Sequence, residues 1–247
     1  MRLSVLPSML EVLEHNVNRG NSDLSVFEIG SIYTKTAKYS QNKRICICIT
    51  GMVEKPNWKS SDGLPNDYFY LKSIIESISQ KFGWQFEYKN TEENHLHYGL
   101  DVILNQKNIG SLGEVKVNKK LFDLKQKVFY ADLDFDYLFS VSKKQKTSFQ
   151  ELSKFLPVKK DLALVVNNAV PFTEIESQCY KTLGATLINV SLFDIYRDKS
   201  LGEDKKSYAI RLQLLSKDKT MSDKEIDKVL QKLIQKLQKE IGAEIRS

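Results

Sequence analysis

Between Ser222 and Ile241, seven aliphatic residues (Ile226, Val229, Leu230, Leu233, Ile234, Leu237 and Ile241) recur at three- and four-residue spacing and form a single stripe. A helix of this length with one apolar stripe must lay it on a partner surface. Ser222 with Glu225 three residues on is the capping-box pattern, which fixes where the helix begins. The preceding residues supply the partner. Asp161–Val166 reads as a strand, Phe172–Leu183 as a helix, and Leu187–Arg197 and Lys205–Leu215 as strands joined by a turn around Lys199–Asp204. Ala243–Arg246 can add a last short strand.

The order βαββαβ is the ferredoxin-like arrangement, in which two helices cover one face of a four-stranded sheet. The other face stays open, and strand alternation says what it displays. Tyr208, Ile210, Leu212 and Leu214 form one set, with Ser207, Ala209, Arg211 and Gln213 opposite. Phe193 and Ile195 are expected toward the helices, and Asp194 and Tyr196 away from them. Leu162, Leu164 and Val166 are expected to be buried, which leaves Ala163 and Val165 on the open side. Small residues, one aromatic, a carboxylate and a guanidinium suit a flat base. Tyr196 can stack, Asp194 can accept from a base N–H, and Ala163 and Ser207 leave room. By periodicity alone, a merely solvated sheet face accounts for the pattern equally well.

Charge is unevenly placed. The chain carries a net charge of +6, and all of it lies beyond residue 140, where a polar stretch, Ser142–Ser148, reads as a linker. A neutral first part and a basic second part fit a second part that meets a polyanion, although ordinary surface chemistry gives the same excess. No apolar run nears the roughly 20 residues needed to span a bilayer. Three cysteines form no disulfide framework, so a cytoplasmic setting is expected.

The first part, residues 1–142, is less regular. Pro7 opens a helix carrying Met9, Leu10, Val12, Leu13 and Val17. Strand-like runs occur at Leu24–Thr34, Arg44–Thr50, Trp84–Tyr88, Leu100–Leu104, Asn108–Leu112 and Lys127–Leu133. Asp67–Phe82 reads as a helix with Phe69, Leu71, Ile74, Ile75, Ile78 and Phe82 near one face, stopped by Gly83. Successive strands with short polar connections imply an antiparallel sheet, and the whole chain reads as α+β. Cys46 and Cys48 share one strand face as buried thiols, and His95 and His97 lack partners at metal-site spacing. The acidic run Asp132–Asp136 lacks the glycine and distal glutamate of a calcium loop, and Asp134 is expected to cap a short helix through Phe139. Gly110–Gly113 is too sparse for a phosphate loop.

Three blocks in order, Lys159–Val166, Leu192–Arg197 and Lys205–Leu212, resemble the ferredoxin-fold anticodon-binding domain at the C-terminus of bacterial phenylalanine–tRNA ligase beta subunits. The resemblance spans residues 149–247. It implies contacts to the first anticodon base from Ala163, Asp194, Tyr196 and Ser207, and contacts to the RNA backbone from Lys160, Arg197 and Arg211. Leu156 stands where that family usually has proline, and Lys160 where it has arginine. Lysine keeps the charge but loses the bidentate fork.

Arg2–Leu10 and Val26–Tyr33, with Asp67–Lys72 and Ile109–Glu114 behind them, resemble part of the catalytic-like module of the same subunit. The Phe27–Gly30 strand is also similar to the second signature motif of class II aminoacyl-tRNA synthetases. The arginine that clamps the ATP α-phosphate there, and the glutamate two places later, correspond to Thr34 and Thr36. The resemblance therefore implies a partial class II synthetase-like sheet module with no catalytic residue, no metal and no cofactor of its own. It implies phenylalanine tRNA and an alpha subunit as partners in a two-alpha, two-beta assembly, with ATP and Mg²⁺ serving the intact enzyme. A chain beginning inside that module is expected to be a C-terminal fragment without the editing domain, leaving the helix from Pro7 poorly supported. Two other functions fit a ferredoxin-like domain. A stand-alone RNA-recognition module would need paired aromatics on the Lys205–Leu214 strand, and a small-effector regulatory domain would need a ligand crevice.

Overall fold

The computed structural model describes residues 1–35, 39–143, 153–198, 201–202, 204–216 and 221–246. Residues 144–148 of the expected linker and residues 199, 200 and 203 of the expected turn lie outside these, as does Thr36. The chain divides into two compact units, Met1–Thr147 and Ser148–Ser247. Among the described residues no helix is long and apolar enough to cross a membrane.

The first unit runs α1 (Leu6–Val17), β1 (Leu24–Lys35), β2 (Tyr39–Thr50), β3 (Met52–Glu54), β4 (Leu64–Pro65), α2 (Tyr68–Phe82), β5 (Glu87–Asn90), β6 (Leu96–Leu104), β7 (Lys107–Val115), β8 (Val128–Asp134) and α3 (Phe135–Ser142). Six strands form an antiparallel sheet in the order β1-β2-β8-β7-β6-β5, while β3 and β4 pair separately. Helices cover both faces. The α1 residues Met9, Leu10 and Leu13 pack with Cys46, Cys48 and Tyr130, and the α2 residues Leu71 and Ile75 pack with Ile47, Ile49 and Phe129. Neighbouring β2 residues therefore reach opposite cores, which is why Cys46–Ile49 is apolar without alternation.

Several expectations need correction here. The helix from Pro7 is well supported, with Val5 and Leu13 wholly buried, because the β2 cysteines and Tyr130 give it a surface. Val12 and Phe69 fall on the solvent side of their helices. Trp84 is not in a strand: Gly83, at φ +65°, ends α2, and Ser79 Oγ donates to the Trp84 carbonyl at 2.7 Å before β5 begins. The short β3–β4 pair carries no pattern visible in the sequence. Asp67 and Asp134 cap α2 and α3 by accepting from the amides of Tyr70 and Tyr137, at 2.7 and 2.9 Å.

The second unit runs β9 (Val158–Asn167), α4 (Phe172–Leu183), a 3₁₀ turn at Gly184–Thr186, β10 (Leu187–Tyr196), β11 (Lys205–Leu214), α5 (Asp223–Ile241) and β12 (Glu244–Ile245). The sheet order β10-β11-β9-β12 is antiparallel throughout, as a ferredoxin-like βαββαβ chain requires. Glu225 accepts from the Ser222 amide at 2.9 Å at the start of α5, and Gly242, at φ +65°, ends it. Ile226, Leu233 and Leu237 of α5 and Ile175, Cys179 and Leu183 of α4 pack on Leu164, Tyr208, Ile210, Leu212 and Leu214. Both helices lie on one face.

Candidate nucleic-acid interface

Strand register defines the face the helices leave uncovered, since directly paired residues share a side. Tyr196 pairs with Ser207, Ser207 with Val165, and Val165 with Glu244. In the next row, Asp194 pairs with Ala209 and Ala209 with Ala163, whose carbonyl accepts from the Arg246 amide at 2.9 Å. Ala163, Asp194, Tyr196 and Ser207 thus meet on one side, opposite the core face of Tyr208, Ile210 and Leu212.

A β-bulge in β10 makes this possible. Leu192 pairs with Ile210 and Asp194 with Ala209, so Phe193 is an extra residue. Without it, Leu192 and Asp194 would share a face. With it, Leu192 packs against the core and Asp194 is turned outward. Phe193 departs from the expected helix side. It is 53% exposed, and the Arg211 guanidinium lies 5.1 Å from its ring centroid on the open face. Ile195 does take the helix side, paired with Tyr208, but stays 48% exposed at the sheet edge.

Arg246 is a participant that the sequence pattern did not single out. Its guanidinium lies 4.5 Å from the centroid of the Tyr196 ring. β12 and β10 are the two outer strands, so these side chains meet by reaching across β9 and β11, over small residues. Ser207 is only 3% exposed, whereas Tyr196 is 39% exposed. Glu244 and Arg246 alternate onto the open face, a signal present in the sequence once β12 is paired with β9. Glu244 receives the Lys205 ammonium at 3.2 Å.

The expected backbone contacts are dispersed. Arg211 is on the open face but engages Asp161 through two bonds of 2.7 Å. The hydrogen bond from Arg211 holds the Asp161 carboxyl below the usual carboxylate range, and Asp161 in turn raises the guanidinium. Lys160 pairs with Leu212 and so belongs to the helix side of the sheet, away from the base-contact set. Arg197 is exposed one residue past the end of β10.

On the first unit, the residues singled out in the sequence have structural partners. Tyr130 Oη donates to Cys46 Sγ at 3.1 Å, and burial pushes the Cys46 thiol up to about 12. Asp132 pairs with Arg44, and Asp136 accepts from the Lys43 amide at 2.8 Å. The Thr34 and Ser40 hydroxyls share a 2.6 Å hydrogen bond across the β1–β2 hairpin. Among the described residues, no group of three or more His, Cys, Asp or Glu could hold a metal ion. Beside the edge strand β1, an apolar groove of about 350 Å³ is lined by Val26, Phe27, Ile45, Ile47, Ile74 and Ile78.

The comparisons with known proteins cover both units. Residues 1–135 match the family model of the phenylalanyl tRNA synthetase beta chain CLM domain, and residues 153–246 match the ferredoxin-fold anticodon binding domain. The phenylalanine–tRNA ligase beta subunit of Syntrophotalea carbinolica is 35% identical over 100% of this chain and 31% of that protein. The same subunit from Bacteroides fragilis is 35% identical over 100% of this chain and 32% of its own length. The chain therefore spans about a third of these relatives. Pyrrolysyl-tRNA synthetase from Desulfitobacterium hafniense aligns with 58% of this chain and 50% of its own at 11% identity and a TM-score of 0.44, too low to carry an argument. With both units matched in order, the chain belongs to the phenylalanyl-tRNA synthetase beta chain family.

Proposed function

We propose that the second unit grips the anticodon stem-loop of phenylalanine tRNA on its uncovered sheet face, as part of the enzyme that esterifies phenylalanine to that tRNA. The observation that carries this reading is the placement of the exposed Tyr196 ring and the Asp194 carboxylate, two residues apart and so about 7 Å along one strand face, beside Ala163 and Ala209. A base stacks on Tyr196 while Asp194 accepts from its Watson–Crick edge, a pairing of stacking and hydrogen bonding typical of single-stranded RNA recognition. Arg246 occupies the space over Tyr196 and must move aside or stack on the far side of the base. Ser207 sits beside Tyr196 in the same row of the sheet, with only 3% of its surface exposed. Lys160, Arg197 and Arg211 contact the RNA backbone in this proposal. Arg211 arrives already held by Asp161, so a phosphate must compete with that carboxylate.

The first unit is assigned a scaffold role, contacting the alpha subunit of a two-alpha, two-beta assembly and leaving ATP and Mg²⁺ to that partner. Thr34 supports this, since a neutral hydroxyl hydrogen-bonded to Ser40 cannot balance phosphate charge. The exposed Phe27 and Ile29 of the edge strand and the apolar groove beside them suit a protein partner. The intact enzyme is placed in the cytoplasm.

Titration with labelled phenylalanine tRNA tests the RNA reading. Tyr196→Ala is expected to cost about 1–3 kcal/mol of binding and to flatten discrimination at the first anticodon base. Unchanged affinity and base preference would overturn it.

A further inference from the structure

On the side of the second unit opposite the uncovered sheet face, α4 and α5 border a groove of about 750 Å³. Lys181 and Gln178 line it from α4, and Lys232, Gln235, Lys236, Lys239 and Glu240 from α5. Four ammonium groups face one carboxylate there. The exposed lysines of α5 recur at 224, 228, 232 and 236, one at each fourth position and so on one side of the helix. Lys236 is engaged by Glu240 at 2.7 Å. The Glu240 carboxyl is held below its ordinary range, first by that hydrogen bond, with Lys239 and Lys181 adding to it. Ammonium groups of both helices therefore act on one point. Glu240 offsets only part of this charge: four ammonium groups share one carboxylate, and the remaining like charges repel until an anionic ligand makes them favourable.

The chemistry of the groove selects the ligand. A bilayer-binding helix needs a free apolar face beside its basic one, but the apolar stripe of α5 (Ile226, Leu233 and Leu237) is buried in the core. A row of flexible ammonium groups with two amide side chains and no aromatic ring suits repeated phosphates rather than bases. We propose that the α4–α5 groove is a second nucleic-acid surface, binding the phosphate backbone of an RNA duplex without reading its sequence. It lies on the far side of the sheet from Tyr196, and this inference does not depend on the anticodon reading.

The test uses the full chain and a blunt-ended RNA duplex of mixed sequence with no loop, titrated at several salt concentrations. The triple variant Lys181→Gln, Lys232→Gln, Lys239→Gln alters only exposed side chains, and lysine and glutamine have similar helix propensity. It is expected to weaken duplex binding at least tenfold at low salt and to reduce the salt slope by about two to three, roughly one for each ammonium that no longer neutralises a phosphate. Tyr196→Ala should leave duplex binding unchanged. A control triple of equal charge on the first unit, Lys116→Gln, Lys119→Gln, Lys125→Gln, should have a much smaller effect. The inference is overturned if the two triples behave alike, if the groove variant leaves slope and affinity unchanged, or if it abolishes binding to phosphatidylserine vesicles while sparing the duplex.

Discussion

The two units use the same raw material differently. In the first, α1 covers one side of the six-stranded sheet and α2 and α3 cover the other, so adjacent residues of β2 are both core residues. In the second, both helices lie on one side, and β11 alternates between wholly buried Ile210, Leu212 and Leu214 and partly exposed Ala209, Arg211 and Gln213. A sheet covered on both sides leaves neither face open to a flat ligand. A sheet covered once, with small residues at its centre and an aromatic near its rim, has a face available to a ligand. The difference lies in where the connections carry the helices, not in strand composition alone.

The comparison is sharpest where neighbouring positions are mutated. In β11, Leu212→Ala should cost about 2–5 kcal/mol through transfer and cavity terms, while Gln213→Ala should stay within about 0.5 kcal/mol. In β2, neighbours should both be costly: Ile49→Ala by about 2–5 kcal/mol, and Cys48→Ser by about 1–3 kcal/mol for a buried hydroxyl. Urea unfolding checks this. Both tryptophans, Trp58 and Trp84, are in the first unit, so their fluorescence follows that unit and far-ultraviolet dichroism follows both. Equal costs at positions 212 and 213 would break the distinction.

Binding comes next in size. Asp194→Asn removes a charged acceptor and should cost about 1.5–3 kcal/mol of stem-loop affinity with little change in melting temperature. Lys160, on the helix side of the sheet, gives a smaller effect: Lys160→Ala should weaken binding to all sequences alike and lower the salt slope by about one.

Thiol chemistry separates the units without a ligand. Burial raises the thiols of Cys46 and Cys179 to about 12, so both should resist alkylation at pH 8 in the native chain. Each should react only as its own unit opens, and rapid native labelling of either would show that its core is not closed.

The smallest effect concerns acid. The Asp161 carboxyl is lowered by Arg211, so its stabilising contribution is present above the ordinary carboxylate range and lost as pH falls through the lowered folded value. The pair is exposed and the contribution small. Asp161→Asn should remove that part of the acid dependence, and an identical acid limb in the variant would contradict it.

Much of this was legible in the sequence because local signals agreed. The stripe from Ile226 to Ile241, the Ser222–Glu225 cap and the alternation on β11 all point to the same fold, and the helix Phe172–Leu183 is read to the residue. Phe193 was misplaced because alternation counts residues, whereas a bulge inserts one without any mark in composition. Lys160 is grouped with the RNA-backbone contacts through family likeness alone; strand pairing adds only that it lies beside Leu212, on the helix side of the sheet. Arg246 is legible only once β12 is paired with β9, because a strand of two residues shows no alternation of its own. Its partner, Tyr196, is brought near only by strand order. The β3–β4 pair was invisible because strands of three and two residues are set by their surroundings.

The most direct measurement is chemical-shift mapping of the full chain titrated with a short single-stranded RNA of the phenylalanine-tRNA anticodon-loop sequence. Perturbations centred on Ala163, Asp194, Tyr196 and Ala209, with movement of the Arg246 side-chain signal, are the predicted result. Perturbations confined to the core-facing side of that sheet or to the first unit, with those five residues unmoved, would contradict the account.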